Sequence, residues 1–286
     1  MIPDMARLGV NQYGKAQTHL VRVYRDGANH EIRDLTVSVA LAGDLEAVHR
    51  AGDNSAVLAT DTQKNTVYAF AKEHPIGTPE DFAARLAHHF LGGAITRARV
   101  EVVEVAWTRL NDHAFTQSSR EQRIGVAIAD RVATYFASGL AGLVVLKTTH
   151  SEFHGFPRDR YTTLQDTTDR VLATELAARW RHAGDADFET ARRALIDAFA
   201  AHHSLSLQQT LYAMGEALLA ACPTVHEVRL SLPNKHHFVV DLSPFGLENP
   251  NEVFHADDRP YGLIEAAVVR DGAPDAGPIW DPYPLV

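Results

Sequence analysis

Apolar and polar residues alternate around Val21, Arg22 and Val23, turn at Asp26-Gly27, and resume through Ile32, Leu35, Val37 and Val39. A period of two places successive side chains on opposite faces, so this stretch predicts a hairpin of two strands. After Ala51-Gly52-Asp53-Asn54 the period changes. Thr60 followed by Gln63 has the spacing of a capping box, which predicts a helix with Thr60 as its N-cap. A second helix is predicted from Thr78-Pro79-Glu80-Asp81, with Phe82, Leu86 and Phe90 on one face and Gly92-Gly93 as its stop. Strands over 100–107 and 124–132 follow.

Residues 139–142 read as a connector, and beyond them the order recurs. Strands are predicted over 143–149 and 170–180, helices over 188–202 and 207–221, the latter ended by Pro223. Further strands are predicted over 225–232, 238–242 and 263–269, with Asn234 to His237 as a hairpin turn. Two strands, two helices and two strands thus occur twice. The expected organisation is α+β, with one domain over 1–139 and a second over 140–286.

Composition narrows the function. With 286 residues, 45% hydrophobic and 22% charged, the chain can bury a sizeable core. A formal net charge of −9 argues against a broad phosphate-binding face, so nucleic acid is not an expected partner. A single cysteine, Cys222, forms no intrachain disulfide and fits a reducing compartment. The longest apolar run, 139–146, is far short of the ~20 residues that span a bilayer. The opening residues carry Asp4, Arg7 and Lys15 without a signal-peptide stretch, and the chain ends Pro284-Leu285-Val286, which is not a peroxisomal address. The expectation is a cytoplasmic protein without membrane association.

Nucleotide and nucleophile signatures are absent: there is no GxGxxG, no GxxxxGK[ST] and no GxSxG. The chain holds sixteen histidines, yet the adjacent pairs at 88–89, 202–203 and 236–237 cannot turn both rings to one site from a regular element. His150 and His154 are not HExxH, so no metal site is expected. What remains are polar residues where elements begin or turn. Lys15 in "NQYGK" reads locally as a solvated lysine, and Thr60 either as a plain cap or as a hydroxyl beside anion-favouring amides. Asn234, Lys235, His236 and His237 follow a proline in "SLPNKHHF".

The segments "YGKAQTHLVRV" (13–23), "ATDTQKNTVYAFAK" (59–72), "LKTTHSEFHGFPRDRYTTLQDTTDR" (146–170), "SLQQTLY" (206–212), "SLPNKHHFVVDL" (231–242) and "NPNEVF" (249–254) resemble the urate oxidase family, in the same order and over nearly the whole chain. The resemblance implies tandem T-fold domains, each an antiparallel sheet backed by two helices, assembled as a homotetramer with active sites at subunit interfaces. It implies oxidation of urate by O2 and water to 5-hydroxyisourate and hydrogen peroxide, with no metal and no organic cofactor. Arg170 and Gln208 would clamp the purine edge, Phe153 would stack beneath the ring, and Leu207 would offer its backbone N–H. Lys15 and Thr60 would form a proton-handling dyad extended by His236. Asn234 with Thr60 would hold O2 and then the attacking water. Thr60 and Asp61 would arrive from the neighbouring subunit, so Lys15 and Thr60 are expected to meet only across that interface.

His154 stands where some relatives carry bulkier residues, and the segment 94–115 is compact; neither touches a named site residue. The competing enzyme reading is another T-fold protein that handles pterins, which would anchor its ring with a glutamate and could hold zinc through histidines. The competing reading from another class is a catalytically silent purine-binding protein, whose mark would be a broken Lys15, Thr60 or His236.

Overall fold

The computed structural model describes residues 6–117, 119–184 and 186–284; Asp4, Leu285 and Val286 lie outside the described residues. The chain divides into two compact units, Met1–Ser138 with Asp275–Val286, and Gly139–Pro274. The expected split at 139/140 assigned everything after it to the second domain. The last segment instead packs with the first unit, where Asp281 pairs with Arg97 at 2.8 Å and the Tyr283 ring lies 5.3 Å from the Arg99 guanidinium.

In the first unit β1 (Tyr13–Asp26) and β2 (Asn29–Gly43) form the predicted hairpin, with Gly27 at φ 56° in its turn. A short α1 (Glu46–Ala51) leads to α2 (Thr60–Glu73) and α3 (Pro79–Phe90), then β3 (Ile95–Val105), the small ribbon of β4 (Thr108–Arg109) and β5 (Phe115–Thr116), and β6 (Gln122–Asp130). The sheet runs β1-β2-β3-β6 and is antiparallel throughout. Alternate residues of β2, namely Leu35, Val37, Val39 and Leu41, face Val67 and Ala71 of α2 and Phe82, Leu86 and Phe90 of α3 in one core.

Two local signals have different outcomes here. α3 starts where predicted and closes a capping box, Thr78 accepting from the Asp81 N–H and Asp81 from the Thr78 N–H. That at α2 does not form: Ala59 is the N-cap, without a side-chain bond, and Thr60 is the first helical residue. Gln63 is fully buried and spends its amide on the Leu58 carbonyl at 3.2 Å, so it cannot reach back to the cap. The Thr60 side chain is left exposed at the helix start.

β7 (Thr134–Lys147) starts in the first unit and continues in the second, so 139–142 is strand, not connector. Gly139 is needed for packing: a Cβ there would lie 2.5 Å from the Ala178 carbonyl oxygen. The second unit continues with β8 (Leu172–His182), α4 (Phe188–Ala201), α5 (Leu207–Ala221), β9 (Val225–Val239), β10 (Phe254–Asp257) and β11 (Leu263–Val269). β9 pairs antiparallel with β8, β10 and β11. Its core joins Leu172, Leu176 and Trp180 of β8 to Phe188, Leu195 and Phe199 of α4 and Leu211, Met214 and Leu218 of α5. The predicted turn at 234–237 is also strand. Pro233 costs β9 one ladder donor, and the buried Thr174 hydroxyl donates to the Pro233 carbonyl at 2.9 Å. Asn234 and His236, two apart on one strand, therefore share a face.

Candidate functional site

Lys15, Thr60 and Asp61 come together in the first unit of a single chain. The Tyr13 hydroxyl accepts the Leu58 N–H at 3.0 Å, which ties the start of β1 to the segment entering α2. Asp61 is held below the ordinary carboxylate range, first by its hydrogen bond to Lys64 at 2.6 Å and by that lysine's charge, and in smaller part by the charge of Lys15. The hairpin and α2 of one chain thus bring Lys15 and Thr60 to the same end of the unit, where the expectation had them meet across a subunit interface.

Local backbone geometry aims Lys15. Gly14 approaches β2 so closely that a Cβ would sit 1.8 Å from the Val39 carbonyl oxygen. Immediately after Lys15 the register shifts, so that Ala16 and Gln17 stand opposite Ser38 alone as a β-bulge. Gln17 takes φ 58°, rare for a residue with a side chain, and its N–H donates to the Ser38 hydroxyl at 3.1 Å. The half-buried Lys15 ammonium and the Thr60 hydroxyl have no hydrogen-bond partner among the described residues, whereas Asp61 is engaged by Lys64 and Asn65.

Phe153, Arg170, Leu207 and Gln208 belong to the second unit, the first two carried by the segment between β7 and β8 and the last two by the first turn of α5. Phe153 exchanges backbone hydrogen bonds with Thr167 at 2.8 and 3.0 Å, and Phe156 stacks on its ring at 5.1 Å and 12°. The Arg170 guanidinium carbon lies 5.2 Å from the centre of the Phe153 ring. Burial pushes the Arg170 guanidinium below its usual value, in the direction expected where charge is costly. Arg170 donates its backbone N–H to the Ser151 carbonyl at 3.0 Å and its Nε–H to the Ser151 hydroxyl at 3.2 Å. Neither Nη group has an acceptor among the described residues.

The strand-like segment 150–153 is laced to the entry of α5. Ser151 bridges to Ser204, the Glu152 N–H donates to the Ser204 carbonyl at 2.7 Å, and the Ser204 N–H donates to the His150 carbonyl at 2.9 Å. Thr210 donates its hydroxyl to that of Ser204 at 2.8 Å, and all three hydroxyl residues are fully buried. The Glu152 carboxylate bridges His203 at 2.5 Å and His154 at 3.0 Å; chiefly through those two hydrogen bonds, His203 first, it lies below the usual glutamate range. Ser206 caps α5 by accepting the Gln209 N–H, which leaves the Leu207 N–H without an acceptor while its side chain is buried. Gln208 is exposed, with no partner for its amide among the described residues.

Asn234 and His236 sit where β9 runs beside the start of β8, two residues after Arg170. Ala173 and Thr174 face Lys235 and Asn234 across the ladder. Asn234 donates its backbone N–H to the Gly262 carbonyl at 2.8 Å and leaves its side-chain amide without a partner among the described residues. The His236 ring stacks on Phe238 at 5.4 Å. Among the described residues no three His, Cys, Asp or Glu side chains are gathered as metal ligands, and no helix is long and apolar enough to cross a membrane. Sequence reasoning passed over Ser151, Gly14 and Gln17. A small polar residue two positions before Phe153 and a Gly-Lys at a strand start were visible, but their contacts are long-range.

Comparison with known proteins identifies the family. A family model described as Uricase matches residues 11–128 and 136–265, one stretch largely on each unit. The chain is similar to the Uricase of Arthrobacter globiformis, 53% identical over 282 residues that cover 96% of this chain and 93% of that protein. It is similar also to the Uricase of Aspergillus flavus, 37% identical over 295 residues that cover 93% and 98%. The crystal structure of the Arthrobacter globiformis uricase superposes with a TM-score of 0.92 at 52% identity, covering 96% of this chain and 99% of that one. The antiparallel strands of each unit, backed by two long helices, are tandem T-folds, and the chain belongs to the Uricase family.

Proposed function

We propose that this protein is a urate oxidase that needs neither metal nor organic cofactor. It converts urate, O2 and water to 5-hydroxyisourate and hydrogen peroxide: two electrons leave the purine for O2, and the oxygen of water becomes the new hydroxyl. The observation that carries this reading is the half-buried Arg170 guanidinium beside the Phe153 ring, with both Nη groups unclaimed by the protein. A planar, anionic heterocycle satisfies that pair: the ring lies on Phe153, and the guanidinium fork takes a carbonyl and a ring nitrogen. Gln208 and the Leu207 N–H hold the other polar edges, the latter at a helix N-terminus that favours negative charge.

The remaining side chains handle protons and oxygen. In its neutral amine form Lys15 can accept the Thr60 hydroxyl proton, becoming the ammonium, so the pair can draw a proton from urate and deepen its electron density; His236 extends the relay. Asn234 and Thr60 hold O2 and afterwards the attacking water, with Asp61 beside them. We assign the two sets to different copies of the chain, the Lys15 set of one completing the Arg170 set of another in a homotetramer that works in the cytoplasm. Steady-state urate oxidation tests the assignment. Lys15→Ala, Thr60→Ala and Arg170→Ala should each remove most activity while remaining folded by circular dichroism; full activity in any of the three would exclude that residue from the site.

A further inference from the structure

Arg170 can clamp a ligand only if its guanidinium plane is fixed, and one side chain is built to fix it. Ser151 is fully buried and contacts Arg170 twice: its carbonyl accepts the Arg170 backbone N–H at 3.0 Å, and its hydroxyl accepts the Nε–H at 3.2 Å. The first contact sets where the arginine leaves the backbone. The second restrains the rotation of the guanidinium while leaving both Nη groups without an acceptor among the described residues. Ser151 is itself tied to neighbouring structure: its strand-like segment bridges Ser204, and Ser204 is joined through the Thr210 hydroxyl to the first turn of α5. That turn carries Leu207 and Gln208.

We propose that Ser151 is the positioning residue of the urate clamp: it orients Arg170 and, through Ser204 and Thr210, holds it in register with Gln208. This rests on the reading of Arg170 as the clamp. Arginine has several rotatable bonds, and orienting its fork before binding removes an entropy cost that the ligand would otherwise bear. Hydrogen bonds to charged groups are among the stronger ones, and a buried Nε–H stripped of its acceptor adds the cost of an unsatisfied donor.

Urate binding measured calorimetrically without O2, where no turnover can occur, tests the assignment in a double-mutant cycle. Ser151→Ala should raise the urate Kd roughly tenfold, the usual size for a lost charge-assisted bond. With O2 present, KM should rise more than kcat falls. Arg170→Lys should also weaken binding, because lysine has no Nε–H and no fork. Adding Ser151→Ala to Arg170→Lys should then change Kd little, since Ser151 has nothing left to orient. An equal penalty from Ser151→Ala in both backgrounds would overturn the proposal, since it would mean a general structural role. Unchanged urate affinity in Arg170→Lys would instead overturn the clamp itself, and with it the role of Ser151. Ser151→Cys, similar in size but a poor acceptor, provides the same cycle if the alanine protein does not fold.

Discussion

Lys15 is placed by neighbours rather than by its own contacts. Gly14 lets β1 press against the Val39 carbonyl, and the bulge at Ala16 and Gln17 turns the strand just after the lysine. Gly14→Ala should therefore lower stability by about 1–3 kcal/mol in urea unfolding, the usual range for overpacking, and reduce kcat with it. Lys15 and Thr60 lie at one end of one unit, so if they serve one relay their losses should not add. Lys15→Ala and Thr60→Ala should each cut kcat severely, and the double variant should cost little more than either. Multiplied losses in the double variant would show two independent functions.

Helices were the most legible elements. The apolar spacing of Phe82, Leu86 and Phe90 located α3, and the predicted bounds of α5 are those observed, because both helices bury one continuous stripe. The misreadings came from glycine and proline used for purposes other than turning. Gly139 permits close strand packing, and Pro233 lies inside β9, where its carbonyl accepts from the Thr174 hydroxyl. Resemblance supplied the candidate residues; what it could not supply was the placement of Lys15 and Thr60 in one chain or the lacing of 150–153 to α5, since these depend on contacts distant in sequence. That lacing has a pH signature. Glu152 is lowered in the folded state by His203 and His154, so its contribution is present above the ordinary glutamate value and is lost as pH falls through the folded one. From about pH 5 downward, wild-type stability should fall more steeply than that of Glu152→Gln in urea titrations. Parallel curves would remove Glu152 from that role. At the other helix pair, Thr78→Ala should cost α3 about 1 kcal/mol through loss of its cap.

The proposed site needs both sets, and the assignment of the sets to different copies of the chain makes assembly testable. If the Lys15 set of one copy serves the Arg170 set of another, two inactive proteins can repair each other. Lys15→Ala chains keep an intact Arg170, and Arg170→Ala chains keep an intact Lys15 and Thr60. Mixing them under conditions that exchange subunits should restore part of the activity. Mixing Lys15→Ala with Thr60→Ala should restore none, because those two residues belong to one set. Recovery in the second mixture would place the dyad across chains after all. The most direct measurement is chemical: purified protein, dialysed against chelator, is given urate in air and under nitrogen, with urate absorbance, O2 uptake and peroxide followed together. Cofactor-free urate oxidation predicts equal molar loss of urate and O2 with equal formation of peroxide in air, and no loss of urate under nitrogen. No urate consumption in air, or activity that chelation abolishes and an added metal restores, would contradict it.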